Sequence, residues 1–203
     1  MLWTVLIPVG SLLIVGRLDS EEPIVPKKTQ WLAIFGICVA AGCFLRMLPL
    51  SQTALEETLL SMILGCLLFA GITDLYIGKA YHFTWWLGMT AGLVLFLAGS
   101  SRAESYQTVV AALSLLAFAG LQQIFFAGFY GRADCHAFCV CALAESSFGM
   151  GMKDFFAHMV LAFGLLTVVQ GICGNIGKCG RLKEPVPFLP YITASFLIML
   201  WTA

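Results

Sequence analysis

Long apolar runs separated by short polar breaks organise the chain. Runs at approximately 1–17, 31–50, 57–75, 83–99, 107–129, 155–173 and 188–203 carry few charges. Each is close to the roughly 17 to 25 helical residues that span a hydrocarbon core about 30 Å thick. The segment 134–150 is shorter and carries Asp134 and Glu145. It is expected to cross as a short helix buried against its neighbours or to be re-entrant, which gives eight helices or seven. The breaks have loop chemistry: RLDSEEPIVPKKTQ at 17–30 is charged with two prolines, GSSRAES at 99–105 is short and polar, and GNIGKCGRLKEPVP at 174–187 combines glycine, proline and four charges. The first run has no basic residue before it, so it is expected to be a membrane helix rather than a secretory signal. The pattern predicts an all-α fold, a polytopic transmembrane bundle of seven to eight helices in one membrane domain over 1–203.

Composition agrees with a lipid environment. Of 203 residues, 60% are hydrophobic and 11% charged, against about 25% charged in soluble domains; mean hydropathy is +0.93. Formal net charge is zero, so no electrostatic case exists for a nucleic-acid partner. Most of the eight cysteines lie in apolar runs, where they act as small packing residues. Cys135, Cys139 and Cys141 form a C-x3-C-x-C cluster without the paired knuckles of a structural zinc site, so no metal is expected there. G-x-S-x-G, H-E-x-x-H and Walker A sequences are all missing, and no cofactor is expected.

Loop charge sets an expected orientation. If 134–150 crosses, one side holds Arg17, Lys27, Lys28, Lys79, Arg132, Lys178, Arg181 and Lys183, and the other Arg46, Arg102 and Lys153. If it does not cross, the bias collapses to five against six. The basic side should be cytoplasmic, with both termini facing outward. Asp74 and Asp134 fall on that basic side.

Taken singly, each acid has an ordinary explanation: Asp134 could cap the helix that follows it, and Asp74 could anchor a helix at the interface. The pair says more, because ionisable residues near membrane depth are costly and tend to mark function. Gly131 and Ala133 leave room for another backbone beside Asp134. Two carboxylates held close cannot both ionise, so one can act as base toward a water while the other keeps its proton.

Three segments carry a family resemblance. GRAD at 131–134 resembles the G-x-G-D signature of membrane aspartyl peptidases, with alanine third. TDLYIGKAYH at 73–82 resembles the first-aspartate motif of type IV prepilin peptidases. KEPVPFLPYITASF at 183–196 is similar to that family's closing I-P-F-x-P-F-L segment. They come in family order over about 57–203, which the resemblance implies is a peptidase-like core, with additional N-terminal helices over about 1–50. The resemblance implies Asp74 and Asp134 as the catalytic pair, supported by Gly131, Ala133 and His136, in the cell inner or cytoplasmic membrane with the aspartates toward the cytoplasm. It implies as partners membrane lipid and a prepilin or pseudopilin substrate, whose basic leader is cut after a glycine just before an apolar helix. The chain departs from the family at Ala80, Tyr81 and His82, in place of Ile-Pro-Asn, and at His136, in place of lysine; His136 could support an ionised acid only when protonated. Segment 17–30 contains no cysteine, unlike the cysteine-rich loop linked to methylation in many members, so peptidase activity alone is expected. Alternatives on the same acids are a membrane transporter and a non-catalytic pilus-assembly factor; a transporter predicts repeated halves, and no long-range repeat is visible.

The remaining polar residues have structural readings. Glu145 and His158 could line a wet path, but are expected to pack inside the bundle. Gly149, Gly151, Gly171, Gly174 and Gly177 are expected to serve close helix packing and turns. Trp85 and Trp86 fit an interfacial aromatic belt. Lys79 and Arg132 would repel a basic leader and read as positive-inside anchors. Leader recognition would need acids, and Glu184 is one candidate on that side.

Overall fold

A computed structural model of the chain describes residues 2–18, 28–48, 53–100, 131–175 and 186–202, with positions 113, 117–118, 120–122 and 124–125 between them. Among the described residues seven helices have both ends delimited: α1 (Leu2–Leu18), α2 (Lys28–Met47), α3 (Ala54–Ile77), α4 (His82–Ser100), α5 (Arg132–Ser147), α6 (Met152–Asn175) and α7 (Leu189–Thr202). Among the described residues there is no strand. The fold is therefore the expected all-α helix bundle. Gln30–Met47, Ala54–Ile77, His82–Gly99 and Met152–Ile172 are long and apolar enough to cross a membrane, and Leu2–Gly16 and Leu189–Thr202 are shorter apolar helices. The described positions between 113 and 125 are helical. The rest of the 107–129 run lies outside the described residues, as do Lys27, Arg102, Lys178, Arg181, Lys183 and Glu184.

Local chemistry moves the helix ends away from the apolar boundaries. Thr53 caps α3: its hydroxyl accepts the Glu56 N–H at 3.2 Å, and the Glu56 carboxylate accepts the Thr53 N–H at 3.1 Å. This reciprocal pair draws two charged residues, Glu56 and Glu57, into the first turn. At the other end Gly78, with φ 63°, donates its N–H to the Asp74 carbonyl at 3.0 Å. A left-handed cap of this kind suits glycine, and it leaves Asp74 inside the last turn of α3. Segment 134–150 forms α5, whose 16 residues rise about 24 Å and are mostly buried.

The bundle is built around α3, which touches α1, α2, α4, α5 and α7. It is apolar on every side, and 72% of its membrane-length window is buried, against 17% for α6. A helix hydrophobic all round belongs in the interior. Leu60, Ile63, Leu64, Leu67 and Phe69 form its centre.

Small residues set the α4–α5 crossing. A Cβ at Gly92 would sit 3.0 Å from Leu143 Cβ, and one at Gly99 would sit 2.8 Å from the Ser147 carbonyl oxygen. The expected packing glycine Gly171 instead faces open space, because α6 turns most of its surface outward. Gly149, with φ 78°, serves the turn into α6 as expected. Trp85 departs from the expected belt. Consecutive helix residues point about 100° apart, so Trp86 faces outward, 76% exposed, while Trp85 turns into the bundle at 4%.

Candidate active site

The last turn of α3 and the first turns of α5 and α7 come together at one end of the bundle. Asp74 is half-buried, and its Oδ2 accepts the Leu189 N–H at 3.2 Å. The first amides of a helix have no intrahelical acceptor, so the start of α7 presents a free donor and Asp74 takes it. Close packing makes this possible. Gly71, one turn before Asp74, has α7 against it, with Pro190 Cα 3.5 Å from the place a Cβ would occupy. Thr193, one turn into α7, reaches the Leu67 carbonyl of α3 at 3.4 Å while also bonding the Leu189 carbonyl at 2.9 Å.

Asp134 is buried, at 8% exposure. The sequence reading allowed it to be the cap of the helix behind it; instead Gly131 occupies the cap and Asp134 is the third helical residue. Its Oδ2 reaches back to accept the Gly131 N–H at 2.9 Å. Glycine has no side chain to return the bond, so this is half of a capping box. A Cβ at Gly131 would lie 3.3 Å from that Oδ2, so the glycine clears the space into which the carboxylate leans. The Asp74 and Asp134 carboxylates lie within electrostatic reach of each other, each charge opposing the other.

The other sequence-derived residues surround this pair unevenly. Ala133 packs against the core. His136 is half-buried; its Nδ1–H donates to the Arg132 carbonyl at 2.8 Å, and its ring lies 6.0 Å from that of Trp85. His82, Trp85, Trp86, Met89 and His136 line a cavity of about 240 Å³. Lys79 and Arg132 are exposed at the same end. Cys135, Cys139 and Cys141 are buried. No group of three or more His, Cys, Asp or Glu among the described residues is placed to hold a metal ion.

Set against protein-family models, curated proteins and solved structures, the chain matches none of them.

Three features escape a reading of sequence. The Leu189 N–H is one, since a backbone donor leaves no mark in residue identity. A second is Gln122, buried and bonded to Met159 Sδ at 3.0 Å, with its carbonyl facing Cys135 Sγ at 3.8 Å. The third is that Glu145 and His158 meet: Nδ1 lies 2.5 Å from Oε1, both side chains fully buried.

Proposed function

We propose that the chain is a membrane aspartyl endopeptidase that removes the basic leader from prepilin- or pseudopilin-like substrates at the cytoplasmic membrane face. The observation that carries this reading is that Asp74 and Asp134, from separate helices, lie within electrostatic reach of each other at one end of the bundle. The order of the three family-like segments adds to it. The third segment supplies the Leu189 N–H that Asp74 accepts, so residues far apart in sequence serve one site.

The chemistry needs two acids and a water. One carboxylate is ionised and takes a proton from the water as its oxygen bonds to the scissile carbonyl carbon. The other gives its proton to the carbonyl oxygen. Collapse of the tetrahedral intermediate breaks the C–N bond and hands a proton to the leaving amine, restoring one proton to the pair. Backbone N–H bonds to Asp74 and Asp134 stabilise charge on either acid, and the pair titrates as a unit rather than as separate residues.

The test is to incubate membranes containing the chain with a peptide carrying a basic leader, a glycine and an apolar helix, and to read the products by mass. One cut directly after the glycine is expected. An intact peptide beside folded chain, across the host's own prepilin-like proteins as well, would reject the reading.

A further inference from the structure

Glu145 and His158 take no part in the proposed chemistry, yet they form a buried polar contact in an apolar bundle. Eleven residues separate Glu145 from Asp134, which at 100° per residue is three turns plus about 20°. The two acids therefore lie on one face of α5, about 16 Å apart along its axis. Phe138 and Cys141 complete that face, and all four are buried.

His158, on α6, is held from two sides. Nδ1 faces Glu145 Oε1 at 2.5 Å, and Nε2 lies 3.3 Å from the Ile192 carbonyl of α7. A carbonyl only accepts, so Nε2 carries a hydrogen. A proton held between Nδ1 and Oε1 would satisfy both atoms. That approach is off the straight hydrogen-bond line, but among the described residues no other polar atom bonds Glu145 Oε1, Glu145 Oε2 or His158 Nδ1.

The contact leads back to the aspartates. Ile192 is three residues after Leu189, so one turn of α7 is tied to His158 by its carbonyl and to Asp74 by its N–H. Phe138, one turn after Asp134, packs edge-on against His158 at 5.5 Å and Phe188 at 6.1 Å. Phe188 immediately precedes the Leu189 amide. Asp154 also acts on Glu145 electrostatically, but its own Oδ2 accepts the Gly151 N–H at 2.8 Å at the start of α6.

We infer that Glu145 and His158 are positioning residues: together they bind α5, α6 and α7 in one register and so hold the Leu189 N–H against Asp74 beside Asp134. Apolar side chains would fill the space but tolerate sliding. A buried carboxylate and imidazole are satisfied in one register, and any slip leaves both unpaired in a dry interior. The catalytic consequence rests on the peptidase reading; the positioning does not.

The test compares Glu145→Gln, whose amide can still donate to Nδ1, with the double variant Glu145→Leu, His158→Phe. The double variant removes the contact without orphaning a buried polar group, so the bundle should still fold. Hydrogen exchange is followed at the Leu189 amide and at α3 amides 60–70, with kcat and KM of leader cleavage beside it. In the double variant Leu189 exchange should rise about tenfold while α3 stays unchanged. There kcat should fall about tenfold with KM within about twofold, and Glu145→Gln should restore both. Unchanged Leu189 exchange in the double variant would overturn the inference, as would an even rise across α3 and α7. A selective Leu189 response in a protein that cleaves nothing would uphold the positioning and reject the peptidase reading alone.

Discussion

Asp74 and Asp134 both accept from backbone N–H groups, Asp74 at the start of a distant helix and Asp134 at its own helix cap. That difference separates the expected effects of neighbouring substitutions. Gly131→Ala puts a methyl 3.3 Å from Asp134 Oδ2, which shifts the carboxylate by a few tenths of an ångström. Cleavage should slow about tenfold in kcat while stability changes by under about 1 kcal/mol; parallel kinetics and thermal melts check this, and unaltered kcat would show that the Gly131 contact does not place the acid. A second outcome concerns pH. At low pH both acids hold protons and no base remains; at high pH both are ionised and no acid remains. The kcat/KM profile should be bell-shaped, and a single rising limb would contradict a shared-proton pair. The two aspartates were legible as charges at the ends of apolar runs. Their partners were not, because backbone donors and helix rotation leave no trace in residue identity, which also hid the Glu145–His158 contact.

Helix ends depend on a few side-chain-to-backbone bonds. Thr53→Ala removes the α3 cap and should cost about 1 kcal/mol. Gly78→Ala, at φ 63°, forces a left-handed conformation on a residue with a Cβ and should cost a similar 1 kcal/mol or so. Gly10→Ala, where a new Cβ meets nothing within 4 Å, should leave stability unchanged or slightly improved. Melting of the three variants in one detergent checks the order, and a Gly10→Ala loss equal to that of Gly78→Ala would contradict it. The apolar runs announced α1 to α4, α6 and α7. They misplaced the ends by one to three residues because hydropathy does not register caps: Glu56 looks like a loop residue until its bond to the Thr53 amide is seen. Segment 134–150 was ambiguous for the same reason, since Asp134 and Glu145 read as breaks in an apolar run although both are buried in the bundle.

At the scale of the molecule, α3 organises the fold and the ends of α3, α5 and α7 build the site. All-α class and an apolar interior were plain from composition and run length. Which helix is central was not, because several runs are equally oily. In the proposed orientation Lys79 and Lys153 lie on opposite sides of the membrane. Single cysteines replacing them in a cysteine-free background should be labelled by an impermeant reagent from opposite faces of sealed vesicles; labelling from the same face would undo the proposed orientation. Joint action of Asp74 and Asp134 on a peptide bond is tested most directly by leader cleavage with Asp74→Asn and Asp134→Asn beside the unaltered chain. Asparagine keeps the shape and an oxygen for the backbone N–H but cannot exchange the catalytic proton. Joint action requires folded variants, a cut after the glycine by the unaltered chain, and no detectable product from either variant. A folded variant that cleaves at the unaltered rate would contradict it.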